Sequence, residues 1–230
     1  SNMTSDEFRT FGVPDHKIRR VYPGVDPRVF QPRPKDLEWI KRLELENKKV
    51  LLTVARLDQR KGHDMVLKAL KCLNDPDLIY LIPGKGREED RLRSLTSELG
   101  VQDQVRFLGF VPDEDLPTLY NLCDVFVMPN RVTEGTVLEG DIEGFGITFI
   151  EAAACAKPAI AGRSGGAVEA VLDDQTGLLV DPHSERELAE IIRKLLDDSQ
   201  LAQSLGNQAR ERVEREFDWK KLAKLVEDLL

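Results

Sequence analysis

One feature constrains this chain more than any other: from Lys49 onward, short apolar runs alternate with amphipathic stretches. The apolar runs fall at residues 50–55, 78–84, 105–108, 124–129, 158–161 and 177–180. Strands that are apolar along their length, each followed by a helix, belong to parallel sheets covered on both faces. The intervening stretches supply the helices. Val66, Leu67, Ala69 and Leu70 recur at helical spacing, and further helices are predicted over 88–99, 113–122 and 146–156. Right-handed crossovers then give an α/β architecture, a Rossmann-like doubly wound parallel sheet. In such sheets ligands collect beyond the carboxyl ends of the strands, so residues just after each strand are the ones to inspect.

The length of 230 residues suits one large domain, or one domain with a docked extension. Residues 1–48 hold a turn at 22–27 and a Pro-rich stretch at 30–34, and read as an incoming linker. Residues 49–217 form the predicted Rossmann-like domain. Residues 218–230 read as a C-terminal helix with Trp219, Leu222, Val226 and Leu229 on one face. Its end on Leu229 and Leu230 points to a partner surface or to a chain cut from a longer protein, and the second is favoured. The opening Ser1, Asn2 and Met3 read as a cloning remnant.

A net charge of -8 argues against general nucleic-acid binding, which needs a basic face. A few converged cations can still hold a phosphate inside an acidic protein. No apolar run approaches the roughly 18 residues of a membrane span. Cys72, Cys123 and Cys155 lack metal-ligand spacing and are expected to be small buried residues in a reducing compartment, which makes the cytoplasm the default location.

The segment from Glu143 to Glu151 carries the chemistry. Gly144 and Gly146 allow close backbone approach and positive φ. The helix that starts here aims unpaired N–H groups and its positive dipole end at whatever binds. Glu151 lies about one and a half turns into that helix, roughly 7 Å along its axis. One carboxylate beside the anion site and one further along suit a sugar on one side of a diphosphate and a ribose on the other. A glycine turn with two surface glutamates is the plainer reading of this segment alone. Arg56, just after the first strand, and Lys61, at the start of the next helix, shift the balance, because both can reach the same crevice. Arginine offers a planar fork for phosphate and lysine a point charge.

With Arg56-x4-Lys61 followed by Glu143-x7-Glu151, the sequence resembles the C-terminal donor-binding domain of the retaining GT-B glycosyltransferases of family 4. Other motifs match in order: Gly24-Val25-Asp26 with Phe30-x-Pro32, Pro83-Gly84-Lys85-Gly86, Phe107-Leu108-Gly109-Phe110-Val111, Gly165-Gly166 with Glu169, Thr176-Gly177 and Phe217-Asp218-Trp219. The resemblance runs from about Val21 to Trp219. Within the family, the long loop before Glu143 and the segment 161–166 look closest to phosphatidylinositol-mannoside mannosyltransferases.

The resemblance implies roles. Arg56 and Lys61 would hold the donor diphosphate, with the backbone of Gly144, Phe145, Gly146, Ile147 and Thr148 beside it. Glu143 would bind hydroxyls of the transferred hexose, and Glu151 the ribose. The turn from Val111 to Asp113 would meet the base. The substrate would be a nucleotide-diphosphate sugar, such as a UDP- or GDP-hexose, with no metal or other cofactor. The partners would be an acceptor glycan or lipid and an N-terminal acceptor-binding domain outside these residues, which could bring the enzyme to the inner membrane face. Pro23 departs from the family, which often has Asn there. By itself the chain is expected to bind nucleotide and transfer little sugar.

Asp75-x-Asp77 and Asp113-x-Asp115 have the spacing of metal-dependent glycosyltransferases, but read more simply as a turn and a helix start. His16, His63 and His183 are isolated; His63 is expected at the surface, beside the phosphate site at most. Gly84-x-Gly86 lacks the third glycine of a dinucleotide site. The competing functions are a nucleotide-sugar epimerase half and a stand-alone nucleotide-sugar-binding module that docks through its C-terminal helix.

Overall fold

The computed structural model describes residues 1–133 and 142–228, apart from the side chains of Met3, Thr4 and Glu7. Most of the loop expected before Glu143, and Leu229 and Leu230 at the chain end, lie outside the described residues. In chain order the elements are α1 (Asn2–Thr10), α2 (Leu37–Leu43), β1 (Lys49–Leu52), α3 (His63–Leu73), β2 (Leu78–Pro83), α4 (Glu89–Leu99) and β3 (Val105–Gly109). Then follow α5 (Leu116–Leu122), β4 (Val125–Met128), α6 (Ile147–Ala154), β5 (Ala159–Gly162), α7 (Ala167–Ala170), β6 (Gly177–Val180), α8 (Glu185–Asp197), α9 (Ser199–Arg212) and α10 (Trp219–Glu227).

The strands form one parallel sheet in the order β3-β2-β1-β4-β5-β6. Successive strand residues feed opposite faces. Val50, Leu52, Phe126 and Met128 pack with Phe149 and Ile150 of α6 and Leu119 and Tyr120 of α5. Leu51, Tyr80, Val125 and Val127 pack with α3 and with Leu188 and Ile192 of α8. Strand order reverses between β1 and β4, and the crevice beyond their carboxyl ends is where such sheets take ligands.

The segment expected as a linker is more than that. Asp36 caps α2 by accepting from the N–H groups of Glu38 and Trp39. Val25 is buried, bridges to Asp218 and packs with Tyr22 and Phe30 against the α6 face. The segment is therefore fastened to the domain, and α10 starts at that same bridge with Asp218 as its cap. Other expectations also shift. The predicted helix over 113–122 starts three residues late, because Asp113 to Asp115 form a turn in which the Asp113 carbonyl takes the Leu116 N–H at 3.3 Å. Cys72 is exposed on α3, whereas Cys123 and Cys155 are buried.

His63 is buried rather than at the surface. It lies in a chain of polar groups: Thr53 donates to the Val127 carbonyl, Tyr80 donates to Thr53 at 2.7 Å, His63 Nδ1 meets the Tyr80 hydroxyl at 2.9 Å, and His63 Nε2 meets the Arg56 carbonyl at 3.4 Å. Burial pushes the imidazole down to about 4.

Gly62 sets where α3 begins. Its φ is +76°, and a Cβ there would collide with the Pro129 carbonyl at the end of β4. Gly144 has open space around it and no positive φ. Gly62→Ala is therefore expected to lower stability by about 1–3 kcal/mol, and Gly144→Ala to leave it nearly unchanged. Urea unfolding of the two variants beside the parent chain checks the contrast; equal losses would contradict it.

Candidate functional site

Two loops face each other across the crevice. The first leaves β1, passes Arg56, makes a tight turn at Gln59–Lys61 and enters α3 at Gly62. The second leads from Glu143 through Gly146, whose φ of +88° lets the backbone turn into α6. Gly165 and Gly166 support it from below: the Gly166 N–H donates to the Glu143 carbonyl at 2.7 Å, and a Cβ on Gly165 would stand 2.7 Å from that oxygen. That pair of glycines serves close backbone packing beneath the site.

Glu143 joins the loops. It is buried, and its Oε2 accepts from Lys61 Nζ and, at 2.8 Å, from Arg60 Nη1. Burial lowers the Lys61 pKa, and the Glu143 charge opposes that shift. Among the described residues these bonds use Oε2 alone, which leaves Oε1 free for a hydroxyl donor.

The other expected residues take different positions. Arg56 does not converge with Lys61: its side chain is 73% exposed, with Asp58 Oδ2 at 3.4 Å as its ion partner. Its charge is nonetheless felt at Lys61. Phe145 is buried against Tyr22 and Phe217, with ring centroids at 5.1 and 5.4 Å, so it anchors the glycine loop. Ile147 is exposed and Thr148 half-buried at the first turn of α6, where the N–H groups lack carbonyl partners in the helix. Glu151 accepts the Tyr120 hydroxyl at 2.6 Å on Oε2; burial raises its pKa and that bond opposes the rise. Val111 lines an apolar cavity of about 230 Å³ with Val54, Ala55, Gly84, Phe110 and Thr148. Asp113 is exposed nearby, close enough to push the Glu151 pKa further up. The site thus offers a cationic and helix-dipole cradle, an apolar slot beside it, and a carboxylate at each end.

Sequence reasoning missed Arg60 and Tyr120. The Arg60-Lys61 doublet was a signal for the first, since two cations on one tight turn can meet one carboxylate. Nothing local marked Tyr120, which reads as an ordinary core aromatic on a helix. Asp75 makes a turn, its Oδ1 taking the Asp77 N–H at 3.0 Å. No group of three or more His, Cys, Asp or Glu is placed to hold a metal ion among the described residues.

Comparison with known proteins places the chain in a family. The family described as Glycosyl transferases group 1 matches residues 35–212, and the chain belongs to that family. It is 37% identical to the GDP-mannose-dependent alpha-(1-6)-phosphatidylinositol monomannoside mannosyltransferase of Mycobacterium tuberculosis, over 100% of this chain and 60% of that protein. It is 34% identical to a D-inositol 3-phosphate glycosyltransferase of Corynebacterium glutamicum, over 93% of this chain and 51% of that one. Among solved structures, Anabaena Alr3699/HepE in complex with UDP and glucose superposes with a TM-score of 0.89 at 26% identity, covering 100% of this chain and 61% of that one. The chain therefore spans 51–61% of the length of these three proteins. Its fold is that of the C-terminal half of GT-B glycosyltransferases.

The buried carboxylate is expected to matter to stability as well. Glu143→Ala strands Lys61 in a buried site and should cost about 3–5 kcal/mol. Adding Lys61→Met should restore part of that loss, because it removes the buried cation that the single variant strands. Urea unfolding of the single and double variants measures the coupling, and additive losses would contradict it.

Proposed function

We propose that this chain is the donor-binding half of a retaining hexosyltransferase, which moves a hexose from a nucleotide-diphosphate sugar to an acceptor hydroxyl. The observation that carries the reading is the pairing of Lys61 with Glu143 across the crevice, at the start of α6. A diphosphate placed there meets the Lys61 cation and the N–H groups of Ile147 and Thr148, which have no carbonyl partner within the helix, together. Arg56, on its exposed stem, swings in from the rim. Glu143 Oε1 takes hydroxyls of the hexose, Glu151 takes the ribose, and the base enters the slot at Val111, with Asp113 at its edge.

Catalysis follows from charge. As the glycosidic bond breaks, negative charge grows on the leaving phosphate, and fixed cations and N–H groups stabilise it there. Front-face attack, with that phosphate taking the acceptor proton, accounts for retention. No metal ion is assigned a role, since Lys61, Arg56 and the helix dipole neutralise the diphosphate.

We take the donor to be GDP-mannose. The relatives named as GDP-mannose-dependent are 35–37% identical over 90–100% of the chain, against 26% for the structure with UDP. The acceptor, a lipid-linked glycan in this reading, is bound by an N-terminal domain corresponding to the part of the relatives that this chain does not span. That domain would hold the enzyme at the cytoplasmic face of a membrane; no helix described here is long and apolar enough to cross one. The 230 residues alone bind donor and transfer little sugar.

Calorimetric titration with GDP, UDP, ADP and their hexose conjugates, without added metal, tests the reading. One nucleotide should bind, GDP by this account, and Arg56→Ala and Glu151→Ala should each weaken it about tenfold. Silence from every nucleotide in a folded sample would contradict the donor site, and robust transfer by the chain alone would contradict its division of labour.

A further inference from the structure

Tyr120 is wholly buried on α5, and its hydroxyl is spent on one acceptor, Glu151 Oε2 at 2.6 Å. A phenol carries a single proton, so this bond commits it. The ring cannot swing away. Phe30 stands edge-on to it with centroids 5.8 Å apart, and Phe126 packs tilted against it at 5.8 Å. Phe30 is itself held from behind, because Arg210 Nη1 donates to its carbonyl at 2.8 Å and Arg210 Nη2 to the Pro27 carbonyl at 2.9 Å. An aromatic clamp built from the leading segment, α5 and β4 thus fixes one donor against one oxygen of a carboxylate on α6.

We propose that Tyr120 is a positioning residue for nucleoside recognition: by holding Glu151 Oε2 it orients the carboxylate and presents Oε1 to the ribose hydroxyls. The proposal rests on the reading of Glu151 as the ribose acceptor. A carboxylate free to turn about its last torsion spreads its acceptors over many directions, whereas a clamped one keeps an acceptor aimed at one place. The bond also opposes protonation of Glu151. Tyr120 and Asp113 are the ionisable groups that face Glu151, and the buried Cys123 and Cys155 thiols face Tyr120. Burial and the Asp113 charge both favour protonated Glu151, and only the Tyr120 hydroxyl works against them. Removing that hydroxyl raises the Glu151 pKa. Binding that needs the carboxylate is lost as pH falls through that pKa, so the acid limb moves to higher pH.

The test is a ratio. GDP and UDP, and their 2′,3′-dideoxy forms, are titrated into the full chain and into Tyr120→Phe and Glu151→Gln at pH 5.5 to 8. In the parent chain the nucleotide that binds should be preferred over its dideoxy form by about tenfold or more. Tyr120→Phe should cut that preference several-fold, weaken the dideoxy form little, and shift the acid limb upward. Glu151→Gln, without an ionisable carboxyl, should show no such limb. A structural role alone would weaken both nucleotides equally and keep the ratio, which overturns the proposal. If the parent chain shows no preference, or Glu151→Gln retains it, the ribose reading of Glu151 falls and the proposal falls with it.

Discussion

Everything in this domain depends on burying a parallel sheet on both faces. Strands buried above and below, with only β3 at the edge half-buried, leave no room for chemistry inside the layers. The polar residues that do lie there must satisfy one another, as Thr53, Tyr80 and His63 do in their hydrogen-bonded chain. Charged groups are driven to the strand ends. Because every crossover returns the chain in the same direction, the loops after β1, β2, β3 and β4 open on one edge. The site is thus a consequence of topology before it is a set of residues.

What turns that edge into a site is a buried anion between two cations. Glu143 holds Lys61 and Arg60, and so ties the loop after β1 to the loop before α6. Withdrawing such charges from water is costly, and the cost is met only while the partners remain in place. The arrangement keeps Lys61 ordered beside the α6 dipole. Nearby glycines let the backbone of the second loop lie directly on Gly165 and Gly166, with Phe145 as its apolar anchor. The same α6 carries Glu151, whose orientation depends on Tyr120 and, through Phe30, on the segment that precedes the first strand.

The sheet was legible in the sequence because periodicity is local: an apolar run reports burial on both faces whatever lies next to it. The place of Glu151 on α6 was legible for the same reason, since helical rise fixes it, whereas Glu143 lies in the loop before the helix. Tertiary packing was not. Residues 1–48 look like a linker because their turns and prolines are visible, while the bridge from Val25 to Asp218 joins positions nearly two hundred residues apart. His63 looks like a surface histidine until Tyr80, on the next strand, supplies its partner. Arg56 and Lys61 sit on one turn, yet only Lys61 turns inward, since Glu143 draws it and Asp58 holds Arg56 near the rim. Tyr120 carried no mark at all; its importance comes from a helix thirty residues away.

The central claim is that the Lys61 and α6 edge is a diphosphate site. A crystal structure of the chain grown with GDP tests it most directly. Both phosphates are expected between Lys61 Nζ and the N–H groups of Ile147 and Thr148, the ribose at Glu151 and the base over Val111. A nucleotide bound elsewhere on the chain, with the Lys61 and Glu143 edge left unoccupied, would contradict it.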